Sequence, residues 1–103
     1  ARGPLRRGDV VLVQTATDVL IKRIAYLPGD TISMPEAFAF RRVRDYFEIG
    51  RPQDGPDFMG RLRVPAGYIV VLGDNRRVSE DSRSFGPVSF KDVLGRIVNA
   101  PPR

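Results

Sequence analysis

Cysteine and histidine are both absent from the 103-residue sequence. The chain therefore supplies no disulfide, no thiolate nucleophile, no imidazole base and no ordinary zinc site. Any hydrolytic chemistry has to rest on serine, threonine, lysine, aspartate, glutamate or tyrosine. The lack of cysteine is compatible with an extracytoplasmic setting but does not require one.

Long hydrophobic runs are missing as well. The longest, VVLV (residues 10–13) and YIVVL (residues 68–72), fall far short of the roughly 20 residues that span a bilayer. We expect no cleavable targeting segment within the given residues. The chain length of 103 residues predicts a single domain over residues 1–103. The composition, with 42% hydrophobic and 28% charged residues, is typical of a soluble globular protein. The net charge of +5 suits an anionic partner, either nucleic acid or a lipid headgroup surface.

Lysine is scarce, since only Lys22 and Lys91 are lysines among 17 basic residues. Strand alternation predicts that Lys22 shares an apolar face with Leu20, Ile24 and Tyr26. Arginine keeps its proton in proteins, whereas a desolvated lysine can become a neutral amine, which a general base requires. The alternative is an ordinary strand lysine whose stem covers apolar surface and whose ammonium reaches water.

Turn residues and period-2 segments dominate the chain and predict its fold class. Strands are predicted over residues 9–14, 19–27, 31–33, 37–43, 61–64, 67–72 and 93–100, with Phe38 and Phe40 on one face, and a helical turn over 89–92. Residues 45–60 are predicted to form a surface loop or hairpin insertion, and residues 73–88 a loop too charged for a core strand. The tally predicts an all-β, coiled, barrel-like antiparallel domain.

Three segments carry a family resemblance: RRGDVVLV (6–13), IKRIAYLPGD (21–30) and GDNRRVSEDSRSFGPV (73–88), the last followed by VLGRIV (93–98). Together and in this order they resemble type I signal peptidase, peptidase family S26, a membrane-bound serine protease that cleaves signal peptides with a Ser/Lys dyad. The resemblance covers the chain from Arg7 to about Val98, apart from the middle loop.

The resemblance implies a role for particular residues. Lys22 corresponds to the general base, and Ser79 to the serine whose hydroxyl orients that base. The supporting charged residues are Arg23, Asp74, Arg76, Asp81 and Arg83. Paired charges of this kind can be partly buried only if each finds its partner, so we expect Asp81 to pair with Arg83 and Asp74 with Arg23. The alternative for these charges is a solvated loop.

The sequence also departs from the family pattern. Arg77 and Val78 stand where the family usually has Asp and Asn, and Tyr26 replaces a common glycine. The family's nucleophile lies upstream in a Ser-Met-x-Pro motif after a transmembrane anchor, and residues 1–6 contain no serine. Ser33 begins a Ser-Met-Pro tripeptide, but it follows the lysine and lacks the spacer, so we expect no nucleophile in this chain and no proteolysis by it alone.

The resemblance implies signal peptides with Ala-x-Ala-like cleavage sites as substrates, bound as an added strand. It also implies a membrane surface as partner, at the extracytoplasmic face of the bacterial cytoplasmic membrane, with no cofactor, no metal and no nucleic acid. One alternative is a non-catalytic relative that binds signal peptides. Another is a nucleic-acid-binding small β-barrel, suggested by the arginines and aromatics of FAFRRVRDYF (38–47). The tripeptide Arg7-Gly8-Asp9 is interpreted as a turn, not an adhesion motif.

Overall fold

The computed structural model describes residues 4–50, 53, 61–75 and 80–98. Strands carry most of its regular structure. In chain order they are β1 (Val10–Gln14), β2 (Val19–Tyr26), β3 (Thr31–Ile32), β4 (Glu48–Ile49), β5 (Leu62–Arg63), β6 (Tyr68–Leu72), β7 (Val88–Ser89) and β8 (Val93–Ile97).

The helices of the described residues are single turns. Two are α-helical, α1 (Val43–Tyr46) and α2 (Ser82–Phe85), and two are 3₁₀ turns at Glu36–Ala39 and Phe90–Asp92. None of the helices in these ranges is long and apolar enough to cross a membrane.

The strands form two antiparallel sheets. The larger has the order β7-β6-β2-β1-β8, and the smaller has the order β3-β5-β4. The all-β, antiparallel class predicted from the sequence is confirmed. Over the described ranges the larger sheet ends at β7 and β8, so the coiled sheets do not close into a complete barrel.

A bulge in β2 separates two hydrophobic cores. The pairing of β2 with β6 is regular at Arg23 and Ile24 and then shifts before Tyr26. Ile24 packs into one core with Val11, Val13, Ile69, Val71 and Val88, while Tyr26 packs against the other, built from Ile32, Phe40, Phe47, Leu62, Val64, Val70 and Leu72. A single extra residue in a strand reverses the faces of the residues after it, so one long strand serves both cores.

The strand predicted over residues 37–43 is wrong. The segment forms a 3₁₀ turn and then leads into α1, so its side chains do not alternate. Ala37 and Phe40 are buried three residues apart, as the 3₁₀ period requires, and Phe38 points outward instead of sharing a face with Phe40. Phe40 meets the Phe47 ring edge to face at 5.5 Å, which fixes this turn on the core.

The remaining differences are smaller. Residues 80–88, predicted as a loop, contain the helical turn α2 because Asp81 caps it by accepting a hydrogen bond from the Arg83 backbone N–H at 3.0 Å. The last predicted strand ends at Ile97, short of residue 100. The insertion predicted over 45–60 is described only at residues 45–50 and 53, and it stays a prediction.

The Leu27–Asp30 turn yields a prediction about pH and stability. The Arg7 side chain donates hydrogen bonds to the Asp30 carboxylate, and together with the Leu27 backbone N–H they lower the pKa of Asp30 from its ordinary 3.8. A depressed pKa stabilises the fold above the unfolded value and loses that effect as pH falls through the folded value. Asp30→Asn should therefore lower the free energy of unfolding at pH 6. The difference from the wild type should become smaller below about pH 3.8, where the carboxylate begins to be protonated in the unfolded chain.

Urea unfolding midpoints between pH 2.5 and 7 would measure this. Asp92→Asn is the matched control, because Asp92 is exposed and has no ion pair with the described residues. A deficit for Asp30→Asn that stayed constant down to pH 2.5 would contradict a role for the ionised carboxylate.

Candidate active site

Lys22 lies in the middle of β2, half-buried, and opposite Val11 of β1. Its neighbours on the same face, Leu20 and Ile24, pack with Val11 in one core. The predicted apolar setting is therefore present, except that Tyr26 leaves this face through the bulge. Within the described residues the Lys22 ammonium makes no hydrogen bond or ion pair.

Arg23, the next residue, points to the opposite face of β2 and is only 8% exposed. Its guanidinium donates two hydrogen bonds of 3.0 Å to the Asp74 carboxylate and one of 2.8 Å to the Gly8 carbonyl. The hydrogen bond to Asp74 raises the pKa of Arg23 above its ordinary value, against the effect of burial. The expected Arg23–Asp74 pair is present, and it ties the end of β6 to β2 beside Lys22.

Asp81 is the most buried charged residue described, with no exposed surface. One carboxylate oxygen accepts the Gly73 backbone N–H at 3.0 Å, and both oxygens accept hydrogen bonds from the Arg83 guanidinium, at 2.9 and 2.7 Å. This bonding to Asp81 raises the pKa of Arg83. The expected Asp81–Arg83 pair is thus formed, and the solvated-loop alternative does not describe Asp81.

The contact between Ser82 and Val71 was not predicted from the sequence. Its fully buried hydroxyl oxygen accepts the Val71 backbone N–H at 2.9 Å. Ser82 and Asp81 together hold α2 against β6, on either side of Leu72. The Asp-Ser pair at the start of a short helical turn is the sequence signal that could have indicated this anchoring.

The helical turn α2 also contacts the segment from Arg41 to Tyr46, which precedes β4. The Arg41 backbone N–H donates to the Arg83 carbonyl at 3.0 Å. Gly86 ends α2 with φ of 88°, and a Cβ at that position would lie 2.8 Å from the Tyr46 ring. Only glycine combines this backbone conformation with so close an aromatic contact.

Ser33 lies away from this cluster. It lines a groove of about 690 Å³ on the smaller sheet, together with Thr31, Glu48, Gln53, Arg61 and Arg63. Neither Lys22 nor Asp81 lines that groove. That Ser33 is not the nucleophile stays a prediction.

The structure brings several of the predicted residues together where the end of β6 meets the middle of β2. Lys22 and Arg23 occupy adjacent positions on β2, Asp74 contacts Arg23, and Asp81 and Arg83 join α2 to the residue after β6. Ser79 and Arg76 lie outside the described residues, so their roles stay predictions. No cluster of metal-ligating side chains occurs within the ranges that the structure describes.

These features define a class of protein. The chain is an all-β domain with a half-buried lysine on a sheet strand, beside a rigidly anchored Asp/Ser/Arg segment.

Comparisons with known proteins agree with this class. The signal peptidase family, peptidase S26, matches residues 1–100. Signal peptidase I of Bacillus caldolyticus is 33% identical over 92% of this chain and 60% of its own length, and signal peptidase I V of Bacillus subtilis is 35% identical over 93% and 66%. Thylakoidal processing peptidase 1 of Arabidopsis thaliana is 35% identical over 82% of the chain and 25% of its own length.

A crystal structure of a signal peptidase I from Enterococcus faecalis superposes with a TM-score of 0.61 at 26% identity. The match covers 94% of this chain and 99% of that one. The chain therefore belongs to the signal peptidase family, peptidase S26. It spans about 60% to two thirds of the two Bacillus relatives. The comparisons give no support to the non-catalytic or nucleic-acid-binding alternatives.

The buried Asp81 yields a stability prediction. Asp81→Ala removes a buried carboxylate that accepts hydrogen bonds from the Gly73 N–H and from two N–H groups of the Arg83 guanidinium, so we expect a loss of roughly 3–5 kcal/mol in the free energy of unfolding. Asp45→Ala breaks only the exposed Arg42–Asp45 pair and should lower the free energy of unfolding far less. Urea unfolding would measure both, and equal losses would contradict the anchoring role of Asp81.

Proposed function

We propose that this chain is the base-bearing part of a serine endopeptidase that removes signal peptides from exported preproteins. The observation that carries the proposal is Lys22, set on an apolar strand face next to the Arg23–Asp74 pair, in a chain that belongs to the signal peptidase family. The nucleophile is a serine upstream of Arg7, in a longer form of the protein. The protein works at a membrane surface, on the extracytoplasmic face.

In the proposed reaction Lys22 transfers the proton, Ser79 orients Lys22, and the remaining charged residues have a structural role. The neutral Lys22 amine takes the proton of the attacking serine and later returns it to the leaving amine. Ser79 orients the amine through its hydroxyl, which can donate or accept as the proton moves. Arg23, Asp74, Asp81 and Arg83 do not touch the substrate. They fix β2, β6 and α2 so that the base keeps its direction.

The open edge of β2 is the place for the substrate strand. The Ile24 backbone bonds toward β1, because its N–H donates to the Asp9 carbonyl and its carbonyl accepts from Gly8, both at 2.8 Å. The β1–β2 register is regular from there to Val19, so the backbone groups of Val19 and Ile21 point away from β1. In the described residues β6 pairs with β2 only from Arg23 onward, which leaves this edge without a partner strand.

The side chains at this edge suit small substrate residues. Val19 and Ile21 are 52% and 62% exposed, and Ile21 stands opposite Leu12 on the same face. Together they make an exposed apolar surface. An extended peptide added here gains main-chain hydrogen bonds, while its alternate side chains lie on that surface. Small residues of the Ala-x-Ala type are the ones that fit.

The role of the base is tested by substitution in a form of the protein that carries the upstream serine. Lys22→Arg keeps the charge and removes the neutral state, so it should abolish cleavage while the unfolding midpoint stays close to that of the wild type. Ser79→Ala should reduce the rate less, since the base remains. The initial rate of signal-peptide cleavage should rise with pH between 6 and 10, because only the neutral amine accepts the proton.

Lys91→Arg is the control for these variants, because Lys91 is exposed in the 3₁₀ turn before β8. It should cleave at the wild-type rate. Cleavage by Lys22→Arg at a comparable rate would remove Lys22 from the mechanism.

The substrate edge is tested with proline. Ile21→Pro removes an N–H that points away from β1, so the β1–β2 ladder keeps its bonds and the fold should survive. One lost hydrogen bond to the substrate should raise KM roughly two- to tenfold. Leu20→Pro removes an N–H that faces β1 and should instead lower stability. An unchanged KM for Ile21→Pro in Michaelis kinetics would place the substrate elsewhere.

A further inference from the structure

The groove on the smaller sheet lies outside the site described above. Its volume of about 690 Å³ is in the range of ligand-binding clefts, and neither Lys22 nor Asp81 lines it. One face of the sheet packs on the hydrophobic core through Ile32, Leu62 and Ile49. The residues that alternate with these three point to the opposite face. That outer face carries the polar side chains of the groove.

The strand register arranges these side chains in two rows across β3, β5 and β4. The rows consist of Thr31, Arg63 and Glu48, which are paired directly, and of Ser33, Arg61 and Gly50, which follow in the same register. The Gly50 backbone N–H donates to the Arg61 carbonyl at 3.0 Å, as the second row requires. Each row therefore has a hydroxyl group on the β3 side and a guanidinium on the central strand.

The charge of this outer face is uneven. Arg63 is exposed and makes no ion pair among the described residues, although Glu48 is its cross-strand neighbour. Glu48 is the single carboxylate in the described lining of the groove, and it stands on the β4 side. The β3 side instead combines two hydroxyl groups with two guanidiniums, which are donors suited to an anionic oxygen.

The spacing of the two arginines indicates the shape of the occupant. Residues two positions apart on a strand lie roughly 7 Å apart along it. An extended peptide with acidic residues at alternate positions has the same spacing, so its two carboxylates can each meet one guanidinium. A nucleic-acid strand is less suited, because base stacking needs aromatic rings and none lines the groove among the described residues.

We propose that the outer face of the smaller sheet is a second binding site, which takes an extended acidic peptide along β5 with its carboxylates on Arg61 and Arg63. Thr31 and Ser33 donate hydrogen bonds to the same carboxylates. Glu48 limits the site on the β4 side, because it repels them. The proposal goes beyond the proposed function and does not rest on it.

Fluorescence anisotropy with two labelled peptides tests the site. One peptide has two glutamates separated by a single threonine. The other has the same composition with the glutamates adjacent, which places their carboxylates on opposite sides of an extended chain, so it should bind more weakly. Arg63→Gln should weaken binding of the first peptide roughly fivefold, because a charge-assisted hydrogen bond is lost. Glu48→Gln should strengthen it roughly twofold, because the repulsion is removed.

Arg6→Gln and Asp92→Asn are the matched controls for these two variants. Both residues are exposed, make no ion pair among the described residues and do not line the groove. Both control variants should bind the first peptide as the wild type does. All four variants should keep the unfolding midpoint of the wild type.

The proposal is overturned if the wild type does not bind the first peptide, or if it binds both peptides equally. An equal loss in Arg63→Gln and Arg6→Gln would also overturn it, since that result would indicate attraction by net charge alone. Tighter binding of a single-stranded oligonucleotide, lost in Arg63→Gln, would assign the face to nucleic acid instead. Peptide binding without signal-peptide cleavage by the longer form would contradict the proposed function and leave this proposal intact.

Discussion

The buried carboxylate of Asp81 is the interaction on which the candidate site depends. It accepts hydrogen bonds from the Gly73 backbone and the Arg83 guanidinium, and it caps α2. A carboxylate without solvent contact is tolerated only because each oxygen has partners. Since those partners belong to the residue after β6 and to α2, the same bonds close the charged loop at both of its ends.

The bulge in β2 is the second constraint, and it explains how one strand can serve two purposes. Before the bulge β2 presents Leu20, Lys22 and Ile24 to one core, and after it Tyr26 packs against the other. β6 pairs with β2 only from Arg23 onward, so the preceding residues of β2 keep an open edge. The position of Lys22 next to that edge follows from the length of β6, which ends at Leu72.

Much of this could be predicted from the sequence, for identifiable reasons. The β1, β2 and β6 strands have strong period-2 or continuous apolar patterns, and turns such as Pro28-Gly29-Asp30 mark their ends. The Arg23–Asp74 and Asp81–Arg83 pairs were predictable because buried opposite charges need each other. The turn at Glu36–Ala39 was not, because Phe38 and Phe40 fit the period of a strand equally well. The bulge before Tyr26 was not, because it depends on the pairing with β6, which lies over 40 residues further along the chain.

Arginine and lysine differ in their partners in this molecule, and the difference supports the role proposed for Lys22 on a strand rich in apolar contacts. Each of the five ion pairs in the described residues uses an arginine, namely Arg7, Arg23, Arg42, Arg83 and Arg96. A guanidinium is always charged and binds a carboxylate with two donors, so it is suited to permanent structural pairing. Lys22 has no carboxylate partner among those residues. A carboxylate beside it would favour the ammonium and prevent the loss of its proton. Lys22, without an ion pair among the described residues and between apolar side chains and an open strand edge, therefore meets the requirement of the general base proposed above.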